Sequence, residues 1–96
     1  MKKGDLRRKI LEYLKENDVT QQNFIIQAAL DLPKPEVIGV PSLMKGSDKD
    51  VLLANEIIWD LIAERILTPG VNKENLDLPH LRVTNFGIIE KELRGI

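Results

Sequence analysis

Residues Ile57 to Glu92 read IIWDLIAERILTPGVNKENLDLPHLRVTNFGIIEKE, and this stretch decides the fold. Apolar residues at helical spacing run into a short β-prone segment at Ile66-Leu67-Thr68, and Pro69-Gly70 turns the chain. Asn72 to Asp77 form a polar loop tip. Pro79 excludes a regular central strand at its own position, because it cannot donate to a ladder. Leu81 to Val83 resume a strand, and Thr84 is the natural cap for a last helix containing Ile88, Ile89 and Leu93. The order is helix, strand, polar loop, strand, helix.

Upstream, Ser47 with Asp50 three residues later makes a capping-box-like start. A helix from Asp48 to about Arg65 is expected, with Val51, Ala54, Ile58, Leu61 and Ile62 as its central apolar stripe. Leu52, Trp59 and Ile66 widen that stripe. Residues 33–47, PKPEVIGVPSLMKGS, carry three Pro and two Gly; Glu36 to Val40 reads as a short edge strand ended by Pro41. Thr20, flanked by Val19 and Phe24 at hydrophobic-staple positions, is the expected cap of a helix from Gln21 to about Leu30. That helix is apolar nearly all round, which predicts burial. Asp5 is the expected cap of a first helix running to about Asn17, with Leu6, Ile10, Tyr13 and Leu14 on one face.

The 96 residues suffice for a single domain spanning 1–96 with one modest core. Cysteine is absent, which excludes a disulfide frame, a thiolate metal site and a Cys nucleophile, and is compatible with the reducing cytoplasm expected as its location. No apolar run is long enough to predict a membrane span or a signal peptide. Net charge is −1, but unevenly spread. Residues 1–15 hold six bases and two acids, a local sum of +4, and the rest hold eight bases and thirteen acids, a sum of −5. Such asymmetry marks either a polyanion contact or a solvated first helix. Arg8–Glu12 and Glu12–Lys15 pairs within that helix account for part of it.

The strings Ile57–Gly70, IIWDLIAERILTPG, and Leu81–Gly87, LRVTNFG, resemble the winged helix-turn-helix superfamily. Ile66-Leu67-Thr68-Pro69-Gly70 followed by Leu78-Pro79 and Arg82-Val83-Thr84 also looks like the N-terminal winged-helix module of larger prokaryotic proteins. The resemblance covers residues 48–92 closely and 5–31 loosely. It implies an α+β fold, a compact helical domain with a two- or three-stranded antiparallel wing, and DNA-associated regulation. The pattern departs from a tight helix-turn-helix at one point: some 15 residues separate Leu32 from Asp48, against the usual 3–4.

Residue chemistry weighs two binding readings. For double-stranded DNA, Lys2, Lys3, Arg7 and Arg8 at the chain start, Lys49, Lys73 at the wing tip and Arg82 are the candidate contacts. Arg82 has an alternative partner in Asp77. The helix face opposite the expected stripe carries Lys49, Leu53, Glu56, Asp60 and Glu64, and its acids repel phosphate. The second reading is a protein partner or homodimer, alone or within a larger prokaryotic assembly. Its expected contacts are Leu53 amid Glu56 and Asp60, with Ile89 and Leu93 of the last helix. The single His80, without Cys, does not make a zinc-type site, and no phosphate-binding loop is present. Asp48 and Asp50 suit a helix start better than calcium. No catalytic residue, metal, cofactor or small-molecule substrate is expected.

Overall fold

The computed structural model describes residues 2–32 and 46–95. Elements run in the order α1 (Lys3–Glu16), β1 (Val19–Gln21), α2 (Gln22–Ala29), α3 (Asp48–Ala63), β2 (Leu67–Pro69), β3 (His80–Val83) and α4 (Phe86–Leu93). The described residues form an α+β domain with one antiparallel sheet in the order β1-β3-β2. The edge strand expected at Glu36 to Val40 lies outside the described residues.

The core is a single cluster. Leu6, Ile10, Leu11 and Leu14 of α1 meet Ile25 and Ile26 of α2, Ile57, Ile58 and Leu61 of α3, Leu67 and Leu81 of the sheet, and Ile89 of α4. The α1 face follows its apolar spacing, except that Tyr13 is half-buried and spends its hydroxyl on Thr20 Oγ1 at 2.8 Å. That bond corrects the expected role of Thr20. It lies in β1 opposite Leu81, not at a helix cap, and α2 begins at Gln22. α1 starts at Lys3, ahead of Asp5, with no side-chain cap.

α2 is not buried all round: Ile25, Ile26 and Ala29 face the core, while Phe24 and Ala28 face solvent. Its C-terminus closes through Leu32 N–H donating to Gln27 O (2.9 Å) and Asp31 at φ 52. α3 ends in the same way. Ile66 N–H donates to Leu61 O (2.9 Å), Arg65 N–H to Ile62 O (3.1 Å), and Arg65 takes φ 60. This is a Schellman closure with Arg in the left-handed position usually given to Gly. At the other end of α3, Ser47 Oγ accepts from Asp50 N–H at 3.2 Å, the cap its sequence predicts.

β3 is the central strand, with Leu81 opposite both Thr20 and Pro69. Gly70, at φ 103, leaves β2 into the 70–79 loop, and Asn72 Oδ1 braces the tip by accepting from Glu74 N–H and Asn75 Nδ2, both at 3.1 Å. Thr84 is not the cap of α4. Its hydroxyl donates to Arg65 O (2.9 Å), and Asn85 Oδ1 caps the helix by accepting from Ile88 N–H (3.3 Å).

Candidate protein-docking face on α3

The orientation of α3 decides what it offers. Its buried residues are Ala54, Ile57, Ile58 and Leu61. Ala54, Ile58 and Leu61 of the expected stripe are buried, but Ile57 replaces Val51 and Ile62, so the inward face is rotated by roughly 40° from that stripe, counting 100° per residue. Val51, Leu53 and Ile62 become half-buried flanks packed against the core. Leu52, Glu56, Trp59 and Ala63, at helical spacing, are turned to solvent, as are Asp48 and Lys49 of the first turn. Leu52 is 66% and Trp59 49% exposed, so two residues expected to widen the core face are its outward pair. Leu53, expected as the exposed apolar contact, is corrected to a flank.

Ion pairs to α1 fix this rotation. Lys3 Nζ lies 2.8 Å from Glu56 Oε1 and 3.0 Å from Asp60 Oδ2. The hydrogen bonds that Lys3 donates to Glu56, then to Asp60, hold its ammonium pKa above the ordinary value. Arg7 joins three helices: it meets Glu92 of α4 at 2.7 and 2.9 Å and Glu64 of α3 at 2.9 and 3.3 Å. The Glu92 hydrogen bonds, then those of Glu64, raise the Arg7 pKa, and the Arg7 guanidinium lowers that of Glu92. On the opposite flank of α3, Asn55 Oδ1 accepts from Gln22 Nε2 of α2.

These contacts account for most of the basic chain start. Arg8 pairs with Glu12 (3.2 Å) and donates to Leu93 O (3.1 Å). Arg82 donates to Gly70 O (3.0 Å), neither reaching Asp77 nor standing free. Among the described residues, Lys2, Lys49 and Lys73 are exposed and make no ion pair, and they sit on three separate elements of the chain. No stripe of unpaired bases is assembled from the candidate DNA contacts.

On α4 the expected interface also shifts. Ile89 is fully buried and Leu93 half-buried on the core, so Ile89 is corrected from interface to core. Phe86 and Ile88 are the exposed apolar residues there, each at 38%. Sequence reasoning missed them together with Leu52 and Trp59. Only the direction of the core face, which α1 sets, could have separated them. A shallow hollow of about 280 Å³ lies at β1, where Val19, Phe24 and Val71 share the lining with the polar Asn17, Gln21 and His80.

The groove between α1 and α4, about 620 Å³, is walled by Arg8, Glu12, Lys15, Glu16, Glu90 and Arg94, charges of both signs. No buried side-chain polar atom among the described residues lacks a partner, and no three His, Cys, Asp or Glu there are grouped to hold a metal ion. No helix among the described residues is long and apolar enough to cross a membrane. Comparison with protein-family models, with characterised proteins and with solved structures finds no match to this chain.

Proposed function

We propose that the chain is a non-catalytic winged-helix module that works by binding, and that its α3 face docks a protein. The element order α1-β1-α2-α3-β2-β3-α4 with sheet order β1-β3-β2 supports the winged-helix reading, β2, β3 and the loop between them forming the wing. One observation carries the choice of partner: the helix that would enter a major groove presents Leu52, Glu56, Trp59 and Ala63, with Lys49 as the single base beside them. Base edges and phosphates require Arg, Lys, Asn or Gln at such positions. An exposed Leu and Trp around an acid instead suit a protein surface, where aromatic anchors dominate binding energy.

The second reading is DNA-associated regulation through the wing, as the superfamily resemblance implies. Lys73 favours it, being exposed near the tip of the 70–79 loop without an ion pair among the described residues. Phosphate contact there would be weak, sequence-independent and steeply salt-sensitive.

Trp59 is the single tryptophan, so its emission reports on the α3 face alone. Titration of a mixed-sequence duplex at low and physiological salt, read by both duplex anisotropy and Trp59 emission, tests the choice. Docking of protein on α3 predicts unchanged emission at both salts. A duplex that raises anisotropy and shifts the emission would overturn it. Raised anisotropy with silent Trp59, abolished by Lys73→Glu, would assign DNA to the wing and leave α3 to protein.

A further inference from the structure

Resting on that reading of α3, we propose that the occupant of its outward face is a second copy of this chain, packed antiparallel so that Lys49 of each copy meets Glu56 of the other. Charge complementarity selects this partner. Lys49 and Glu56 are seven positions apart, about two helical turns, and lie on the same flank of the Leu52–Trp59 strip. A twofold axis across the strip reverses the helix direction and brings like flanks together. With that axis beside Leu52 and Leu53, Lys49 stands opposite Glu56 and Glu56 opposite Lys49, giving two equivalent ion pairs. A parallel pairing, with its twofold along the helices, brings unlike flanks together and leaves both Lys49 and Glu56 without each other as partners.

The apolar residues fit the same register. Leu52, the most exposed large apolar residue among those described, stacks on its symmetry mate at the axis. Trp59 reaches past the first turn of the other copy's α3, beside its Ser47 cap, where the backbone is extended. Both ionic groups are available. Lys49 is exposed with no ion pair among the described residues, and Glu56 receives Lys3 on Oε1 alone, its side chain 59% exposed. The interface is isologous and therefore closes as a dimer.

Analytical ultracentrifugation of the full chain tests this, from about 1 μM to about 1 mM, the range spanning weak dimers. Wild type should pass from monomer to twice its mass within that range. Lys49→Glu removes no ion pair among the described residues; it should weaken dimerisation by about tenfold or more, through loss of two pairs and gain of two repulsions. Glu56→Lys should do the same, with its fold checked by a circular-dichroism melt because it also removes the 2.8 Å pair with Lys3. An equimolar mixture of the two should recover wild-type association as a heterodimer, because each then supplies the charge the other lacks. A wild type that stays monomeric at every concentration overturns the inference, as does a mixture no stronger than its components. Duplex-silent Trp59 emission with a monomeric wild type would leave α3 a face for a different protein; duplex-induced emission change would sink the underlying reading itself.

Discussion

Arg7→Met tests the three-helix junction. The substitution keeps the apolar stem that packs beside α1 and removes the guanidinium fork. The fork makes two bonds to Glu92 at 2.7 and 2.9 Å and two to Glu64 at 2.9 and 3.3 Å, with the Arg7 side chain only 21% exposed. A charge-assisted bidentate pair is worth more than a surface contact, but both glutamates are partly exposed, so the Glu92 pair is discounted for screening to about 1 kcal/mol. The more exposed Glu64 pair adds roughly 0.5 kcal/mol. At about 5 °C per kcal/mol for a domain near 100 residues, the loss of about 1.5 kcal/mol lowers the thermal midpoint by about 7 °C.

The acid dependence follows from Glu92. Its folded-state pKa lies below the ordinary value because of Arg7, so its pairing stabilises the fold above the ordinary glutamate range. That stabilisation is lost as pH falls through the lowered folded-state value. Circular-dichroism melts should therefore show the full deficit of Arg7→Met near neutrality and a shrinking one in acid, and salt should shrink it too. Indistinguishable midpoints at neutral pH would refute the reasoning, and so would a deficit that survives full protonation of the carboxylates.

Three further substitutions have clear signs. Gly70→Ala places a Cβ 2.9 Å from Leu76 O at a residue with φ 103, and urea denaturation should report a loss of about 1–3 kcal/mol. Arg65→Gly relieves a left-handed residue at φ 60 and should raise stability by up to about 1 kcal/mol; a lowered denaturation midpoint would show that the Arg65 conformation is not strained. Tyr13→Phe removes the 2.8 Å bond to Thr20 Oγ1 and should cost about 1 kcal/mol, and Thr20→Val in the same background should then cost less than it does alone.

Local signals were legible where one segment carried its own cause. The Ser47 cap and the Leu81 to Val83 strand follow from residue types that act within a turn or a strand, whereas the turn expected at Pro69-Gly70 comes later, because Pro69 pairs with Leu81 and Gly70 N–H donates to His80 O. β1 was not legible: Val19-Thr20-Gln21 is too short to show alternation, and its partner lies some sixty positions away. Thr20 before an apolar run reads as a cap, yet its hydroxyl is taken by Tyr13. The face of α3 was misread for a related reason. Ile57, Ile58, Leu61 and Ile62 are all apolar, so periodicity alone leaves the stripe undetermined by about a residue. Lys3 and Arg7 break the tie by drawing Glu56, Asp60 and Glu64 toward α1, contacts that no short-range spacing reveals. The candidate site moved with that rotation, from Leu53 to Leu52 and Trp59.

The position of β3 between β1 and β2 has a consequence for how the chain reaches its fold. β2 pairs with β3 across a short loop, but β1 pairs with β3 across an intervening span that contains α2 and α3. Closing that span costs chain entropy before any ladder bond is gained, so the β1–β3 contact belongs late in folding. On a ribosome the first helix would emerge well before its strand has a mate, and the nascent N-terminal third would carry Ile25 and Ile26 without the cover that α3 later provides. A chain ending before His80 should lack cooperative unfolding altogether, whereas mutations in the 70–79 hairpin should alter the folding rate more than those in β1.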